Sequence, residues 1–232
     1  ASLVENEGAE ISENALQKVV EEFGSVESIQ APLVHRERLP ITVAERLVSR
    51  VSEALQEHLV THHELSPGVA SDLILHSREK ATLGLITPWS SERDVEQLIR
   101  TLQANKRLTP TIILRALCMG DVGFFEAAMA ALSRVPLVNA RLLIHDKGEI
   151  GFKAMYDKAK MPQALFMAFR SAIDVFNEME FTDEPNDREQ FARRLLERLL
   201  TQFEEMGMVE DADMEYLLAK FNKIADESQD AA

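Results

Sequence analysis

From Ser12 onward, apolar residues recur three and four positions apart, the spacing of a helix face rather than the alternation of a strand. Ser12-Glu13 opens a run with Ala15, Leu16, Val19, Val20 and Phe23, and Gly24 is expected to close that first helix in the left-handed conformation. Residues 26–36 read as a short second helix interrupted by Pro32, leading into Arg38-Leu39-Pro40. Thr42 with Glu45 three residues on has the form of a capping box. It predicts a long third helix with Ala44, Leu47, Val48, Val51, Leu55 and Leu59 on its apolar stripe. Ser66-Pro67 starts a fourth helix through Val69, Leu73, Ile74 and Ala81 toward Thr87-Pro88. A fifth begins at Ser91 with Asp94 and carries Val95, Leu98, Ile99 and Leu102.

Beyond it the punctuation becomes regular. Thr109-Pro110 begins a helix that Gly120 ends, Asp121 caps the next, and Pro136 begins another that stops near Gly148. Helices near 148–160 and 162–178 follow. Pro110, Pro136 and Pro162 are 26 residues apart, and each follows a basic residue closely: Arg107, Arg134 and Lys160. Proline is tolerated in a first helical turn because its missing N–H would lack an intrahelical partner there, so a recurring Pro marks recurring helix starts. Twenty-six residues hold two short helices and their turns, the size of one layer of an α-solenoid.

The expected organisation is all-α, with eleven or twelve helices. Residues 1–11 are expected to be frayed or disordered, 12–180 to form one helical body, and 181–187 a polar linker containing Pro185. A C-terminal helix pair is expected over 188–226, followed by a disordered tail at 227–232. In Asn186–Gly207 the residues Ala192, Leu196, Leu199, Phe203 and Met206 alternate four and three apart, with Phe191, Leu195 and Leu200 beside them. So wide an apolar face is expected either to cap the open end of the stack or to form a homodimer.

Charge narrows the function classes. The chain carries a net charge of −14, with 7 acids against 1 base in residues 1–30 and 15 against 6 in 180–232, while 31–179 is almost neutral. Nucleic acid and anionic membranes are not expected as partners, because phosphate neutralisation needs clustered Lys and Arg. The longest charge-free stretches are near ten residues and contain Pro, too short to span a bilayer. Ala1 opens the chain and no signal peptide pattern follows it. The single Cys118 fits a reducing compartment, and a cytoplasmic location is expected.

Few residues offer chemistry. His58 and His62 lie one helical turn apart beside Glu57, His63 and Glu64, but the zincin spacing would need Glu at the position of Leu59. A solvated last helical turn accounts for them, and no metal site is expected. His145-Asp146 has no accompanying nucleophile motif, and neither a Walker loop nor a GxGxxG is present, so no catalytic residue and no cofactor is expected. Cys118 between Leu117 and Met119 reads as a buried structural thiol. The stripes of Phe124, Phe125 and Met129, and of Phe166, Met167 and Phe169, read as core. The acidic run 210–215 lacks the glycine of a calcium loop. Arg115, Arg141 and His145 remain as possible contacts for a ligand or partner.

The segment Ala116-Leu117-Cys118-Met119-Gly120-Asp121-Val122-Gly123-Phe124-Phe125-Glu126, continuing to Pro136, Arg141-Leu142-Leu143 and Asp146-Lys147-Gly148, resembles a bacterial family, domain of unknown function twenty-three thirty-six. Arg38-Leu39-Pro40, Leu47-Val48 and Val51-Ser52-Glu53-Ala54-Leu55 look like the same family's preceding segment, and the likeness runs over roughly 13–180. The resemblance implies a bacterial, HEAT-like, right-handed stack of helix pairs, and it brings no reaction, cofactor or catalytic residue. A non-enzymatic scaffold or adaptor that binds a protein partner is the expected function. Its rival is a small-ligand sensor or enzyme with an anion-binding pocket between helices.

Overall fold

The computed structural model describes residues 6, 9, 11–24, 26–36, 39–62, 66–87 and 90–179, and then 187, 190, 191, 193–195, 197–199 and 201. Among the described residues there are ten named α-helices, one 3-10 turn and no strand, as the 3.6-residue periodicity requires. The chain divides into two compact units, Ala1–Thr101 and Leu102–Ala232. The boundary falls inside a helix, within the span read from periodicity as one body.

In the first unit, α1 (Glu13–Phe23) starts where the Ser12 hydroxyl accepts the Ala15 amide at 3.4 Å. Its Leu16 and Val20 pack with Ile29 and Leu33 of α2 (Glu27–Val34) and with Val43 and Leu47 of α3 (Ile41–His62). Gly24 is right-handed, with φ −64°, rather than left-handed. Glycine is needed there for space: a Cβ would stand 2.3 Å from the Val20 carbonyl oxygen and 3.2 Å from Arg50 Cβ. Pro32 lies inside α2 and does not end it, since only the last turn is left to build after it.

The capping box at Thr42 does not form. Pro40 precedes α3 and its carbonyl accepts the amides of Val43 and Ala44, which puts Thr42 inside the first turn. The Thr42 hydroxyl donates instead to Glu13 of α1, and the buried Glu45 accepts from Ser49 at 3.1 Å. Beyond Leu47 the stripe of α3 opens to solvent at Val51 and Leu55. Helix α4 (Pro67–Leu83), capped by Ser66 with Pro67 at its first position, packs on α3. At the start of α5 (Glu92–Ala104), which the sequence places at Ser91 with Asp94, a reciprocal capping box is present. The Asp94 carboxylate accepts the Ser91 amide at 2.9 Å, and the Ser91 hydroxyl accepts the Asp94 amide at 3.2 Å.

In the second unit the prolines set out two helix pairs. Pro110 opens α6 (Pro110–Cys118), followed by α7 (Val122–Ser133). Pro136 caps α8 (Leu137–His145), followed by α9 (Glu149–Lys158). Pro162 caps the 3-10 turn Gln163–Leu165, which leads into α10 (Phe166–Glu178). Residues Lys106, Gly120, Arg134 and Lys160 all have positive φ, between 55° and 80°. At each, the amide of the following residue reaches back to a carbonyl five residues before it, as in Arg107 to Leu102 and Met161 to Tyr156. These are left-handed helix stops of the Schellman type. The basic residues before Pro136 and Pro162 therefore have a backbone role, while near Pro110 it is Lys106, not Arg107, that turns left-handed.

The core of this unit is aromatic. Phe125 of α7 stacks on Phe169 of α10 at 5.7 Å between centroids, and Phe152 and Tyr156 of α9 pack against Phe166. Helix α7 is packed by α6, α8 and α9, and α10 lies against α6 and α8. Cys118 is buried, and its burial pushes the thiol's pKa up. The described residues from 187 to 201 are helical and bury Phe191, Leu195 and Leu199, with Phe191 meeting Phe176 edge-on at 6.4 Å. These three buried residues fall at i, i+4 and i+8, and Leu199 belongs to the expected four-three alternation, whose Ala192 and Leu196 lie outside the described residues. Expectations for Phe203, Met206, the linker at 181–186 and the last helix fall outside the described residues. No single helix among the described residues is long and apolar enough to cross a membrane; α7 and α8 pass such a test only together, across a bend of 112°.

Candidate functional site

Helix α7 is apolar nearly all round, and Glu126 sits in its middle with its side chain only 10% exposed. A carboxylate in that position needs cations or donors, since an unpaired buried charge is costly. Helix α8 supplies both. Arg141 Nε donates to Glu126 Oε2 at 2.7 Å, and His145 Nε2 lies 2.6 Å from Glu126 Oε1. The other ring nitrogen, Nδ1, lies 2.9 Å from Oδ1 of Asn177 on α10. Both imidazole nitrogens thus face acceptors, which a doubly protonated ring satisfies by donating twice.

The electrostatics agree. Burial pushes the Glu126 carboxyl up, but His145 and Arg141 outweigh it and hold it below the usual carboxylate range. The hydrogen bond to Glu126 raises the His145 imidazole above its usual value against the opposing effect of burial, and Asn177 adds to the rise. His145 is also the last residue of α8, where the helix dipole favours a cation. Arg170 of α10 strengthens the same junction. It pairs with Asp174 at 2.7 Å and donates to the Asp146 carbonyl at 3.3 Å, just past the end of α8.

These bonds hold the inner side of α8, where Ala140 and Ile144 are buried, and leave an apolar outer side. Val138 and Leu142 are each 69% exposed, and Ile150 at the start of α9 is 86% exposed. Val138, Arg141, Leu142 and His145 fall at i, i+3, i+4 and i+7, one face of a helix. An open hollow of about 680 Å³ beside them is walled by Arg141, Leu142, Leu143, His145 and Asp146.

Of the three residues singled out in the sequence, Arg141 and His145 meet on one carboxylate. Arg115 is buried in α6 and is not among the walls of the hollow. Glu126 and Asn177, which complete the cluster, are not among the three. A lone carboxylate in the apolar run Phe124-Phe125-Glu126-Ala127-Ala128 was the available signal, because such a group must find a partner. Nothing local marks Asn177, which reaches the site only through the packing of α10. His58 and His62 stack at 4.3 Å on the exposed end of α3, and among the described residues no three ligating side chains come together.

An all-helical protein built of short paired helices, with one solvent-facing apolar helix pinned through a buried carboxylate, is what these residues define. The chain belongs to DUF2336, a family described as an uncharacterised protein conserved in bacteria, whose profile matches residues 1–230. The match includes the acidic C-terminal segment that the sequence resemblance had left outside. No curated protein and no solved structure matches the chain.

Proposed function

We propose that the protein is a non-enzymatic interaction module, a scaffold or adaptor, and that the outer face of α8 is where it docks a protein partner. The carrying observation is that Val138 and Leu142 stand exposed one turn apart on a helix pinned by Glu126, Arg141, His145 and Asn177, with Ile150 exposed at the start of the next helix. Contiguous exposed apolar side chains on an ordered helix mark interaction sites, and pre-fixing the helix lowers the ordering cost of binding. In this reading the two helix pairs after Pro110 and Pro136 are layers of a right-handed, HEAT-like solenoid, and the cytoplasm is its location. Capping of the C-terminal end is favoured over a homodimer through Asn186–Gly207, because Phe191, Leu195 and Leu199 are already buried.

The rival reading, an anion-binding sensor or enzyme, is weakened by Glu126. An internal carboxylate already takes the place that a bound anion would occupy between Arg141 and His145. The test places a photo-crosslinking amino acid at position 142 and, as a control, at exposed Ser77 of α4. A protein captured through position 142 but not through position 77, and no longer captured when Val138→Asp is added, supports docking at α8. Equal capture at both positions removes the reading. A large thermal shift with one small anion, lost in Arg141→Ala, would move the assignment to the rival.

A further inference from the structure

In the second unit the connections at the two ends of the helices differ in charge. Residues 104–110, 132–138 and 158–164, where α5, α7 and α9 end, hold Lys106, Arg107, Arg134, Lys158 and Lys160 and no carboxylate. The carboxylate nearest to them along the chain, Asp157, is engaged by Lys153 at 2.7 Å and by Gln163 at 2.8 Å. At the other ends of α6 to α10, residues 117–123, 144–150 and 175–179 hold Asp121, Asp146, Glu149 and Glu178 against Lys147 and His145. The basic ends are neighbours. Gln103 of α5 donates to the Ala131 carbonyl of α7 at 3.5 Å, and Phe125 and Phe152, the fourth residues of α7 and α9, meet at 6.3 Å between centroids.

Backbone strain singles out the same three connections. Lys106, Arg134 and Lys160 are their left-handed residues, with φ between 55° and 56°, and all three are exposed. At the other ends the left-handed stop is Gly120. A cation can meet a helix dipole from a right-handed position in the last turn, as Lys158 does in α9. The dipole therefore accounts for a charge there, but not for three charged side chains in a conformation that glycine holds at less cost. Strain kept at equivalent exposed positions points to a use for the side chains.

We propose that this row of cations receives an extended acidic segment of a partner protein. Packed helices stand about 8–10 Å apart, and an extended chain rises about 3.3 Å per residue. Carboxylates three residues apart would therefore meet Lys106, Arg134 and Lys160 in turn, with Lys158 beside the last. Nucleic acid fits less well, because its charges are far denser than the row can neutralise and the carboxylates at the other helix ends oppose a long polyanion. The row is separate from the outer face of α8, and neither reading needs the other.

The experiment uses the full chain and three fluorescein-labelled peptides. One has Glu at every third position among Gly and Ser, one has the same composition with its Glu residues contiguous, and one has Lys in place of Glu. Fluorescence anisotropy at low ionic strength is expected to show the spaced Glu peptide binding at least about threefold more tightly than the contiguous one, weakening with salt, and no binding of the Lys peptide. Lys106→Gly combined with Arg134→Gly and Lys160→Gly is expected to weaken the spaced peptide at least about fivefold while raising the urea midpoint, so that lost folding is not the cause. Lys147→Ala, at the other helix ends, is expected to leave binding unchanged. Binding that survives the triple glycine variant, equal binding of spaced and contiguous peptides, or no binding of the spaced peptide because the chain's own carboxylates fill the row would overturn the proposal. So would a thymidine oligonucleotide or phosphatidylglycerol vesicles that bind more tightly than the spaced peptide and are lost in the triple variant. Capture through position 142 is a separate readout, so failure of the spaced peptide leaves the docking reading of α8 standing.

Discussion

Arg134 and Lys160 hold φ angles of 55° and 56°, where the Cβ crowds the following carbonyl and glycine alone is at ease. Gly120 does the same work at φ 80° without that strain. Arg134→Gly and Lys160→Gly are each expected to stabilise the protein by about 0.5–1 kcal/mol, read as a higher urea midpoint at unchanged slope. Gly120→Ala is expected to cost about as much. His145 gives a pH signature whose sign follows from its raised imidazole. Its contribution is complete below the ordinary value of 6.5 and is lost as pH rises through the higher folded value. Glu126, held low, contributes above its ordinary 4.5 and loses its contribution as pH falls through the folded value. The stability difference between the native protein and His145→Gln is therefore expected to be largest near about pH 5–6 and to shrink by about pH 8.5, measured by urea unfolding at each pH. A difference that grows toward alkaline pH would mean that the neutral imidazole is the form that holds Glu126.

Elements start and stop here for reasons of unequal visibility in sequence. Starts are legible: Ser12, Ser66, Ser91 and Thr109 each accept an amide three residues on, as their side-chain chemistry leads one to expect. Thr42 has the same chemistry but a different role, because Pro40 had already set the helix start and α1 offered Glu13 as a partner. Stops are half legible. Gly120 announces itself, whereas Arg134 and Lys160 are ordinary helix formers that tertiary packing forces into the left-handed region. The junction between α9 and α10 shows what that packing gains. The Tyr156 hydroxyl donates to the Pro162 carbonyl at 2.7 Å, satisfying a backbone group at the start of the 3-10 turn. Tyr156→Phe is expected to cost about 1 kcal/mol, measured by urea unfolding, with the aromatic packing against Phe152 and Phe166 retained. The site follows the same division. Arg141 and His145 were visible as cations one turn apart, but the face they hold outward was not. Val138 and Leu142 have the spacing of core residues, and only the pairing of helices decides which apolar stripe faces water.

At the scale of the molecule, both units leave apolar side chains exposed, the second at Val138, Leu142 and Ile150, but the second also holds a buried aromatic cluster. In Ala1–Thr101 the stripe of α3 runs out to exposed Val51 and Leu55, and Val69 and Leu73 of α4 are exposed as well. In Leu102–Ala232, Phe125, Phe152, Tyr156 and Phe169 are all fully buried within one aromatic cluster. Local opening free energies follow buried apolar contact, so the outer ends of α3 and α4 should open before that cluster does. Cys118 provides a reporter for the second unit, since it is the chain's single cysteine and lies buried in α6. Its thiol is expected to resist a disulfide-exchange reagent in the native protein and to become reactive only when the second unit opens. With increasing urea, helical ellipticity at 222 nm is therefore expected to lose part of its amplitude before Cys118 reacts. Coincident transitions would show instead that the chain unfolds as one cooperative whole, with α3 and α4 no weaker than the rest.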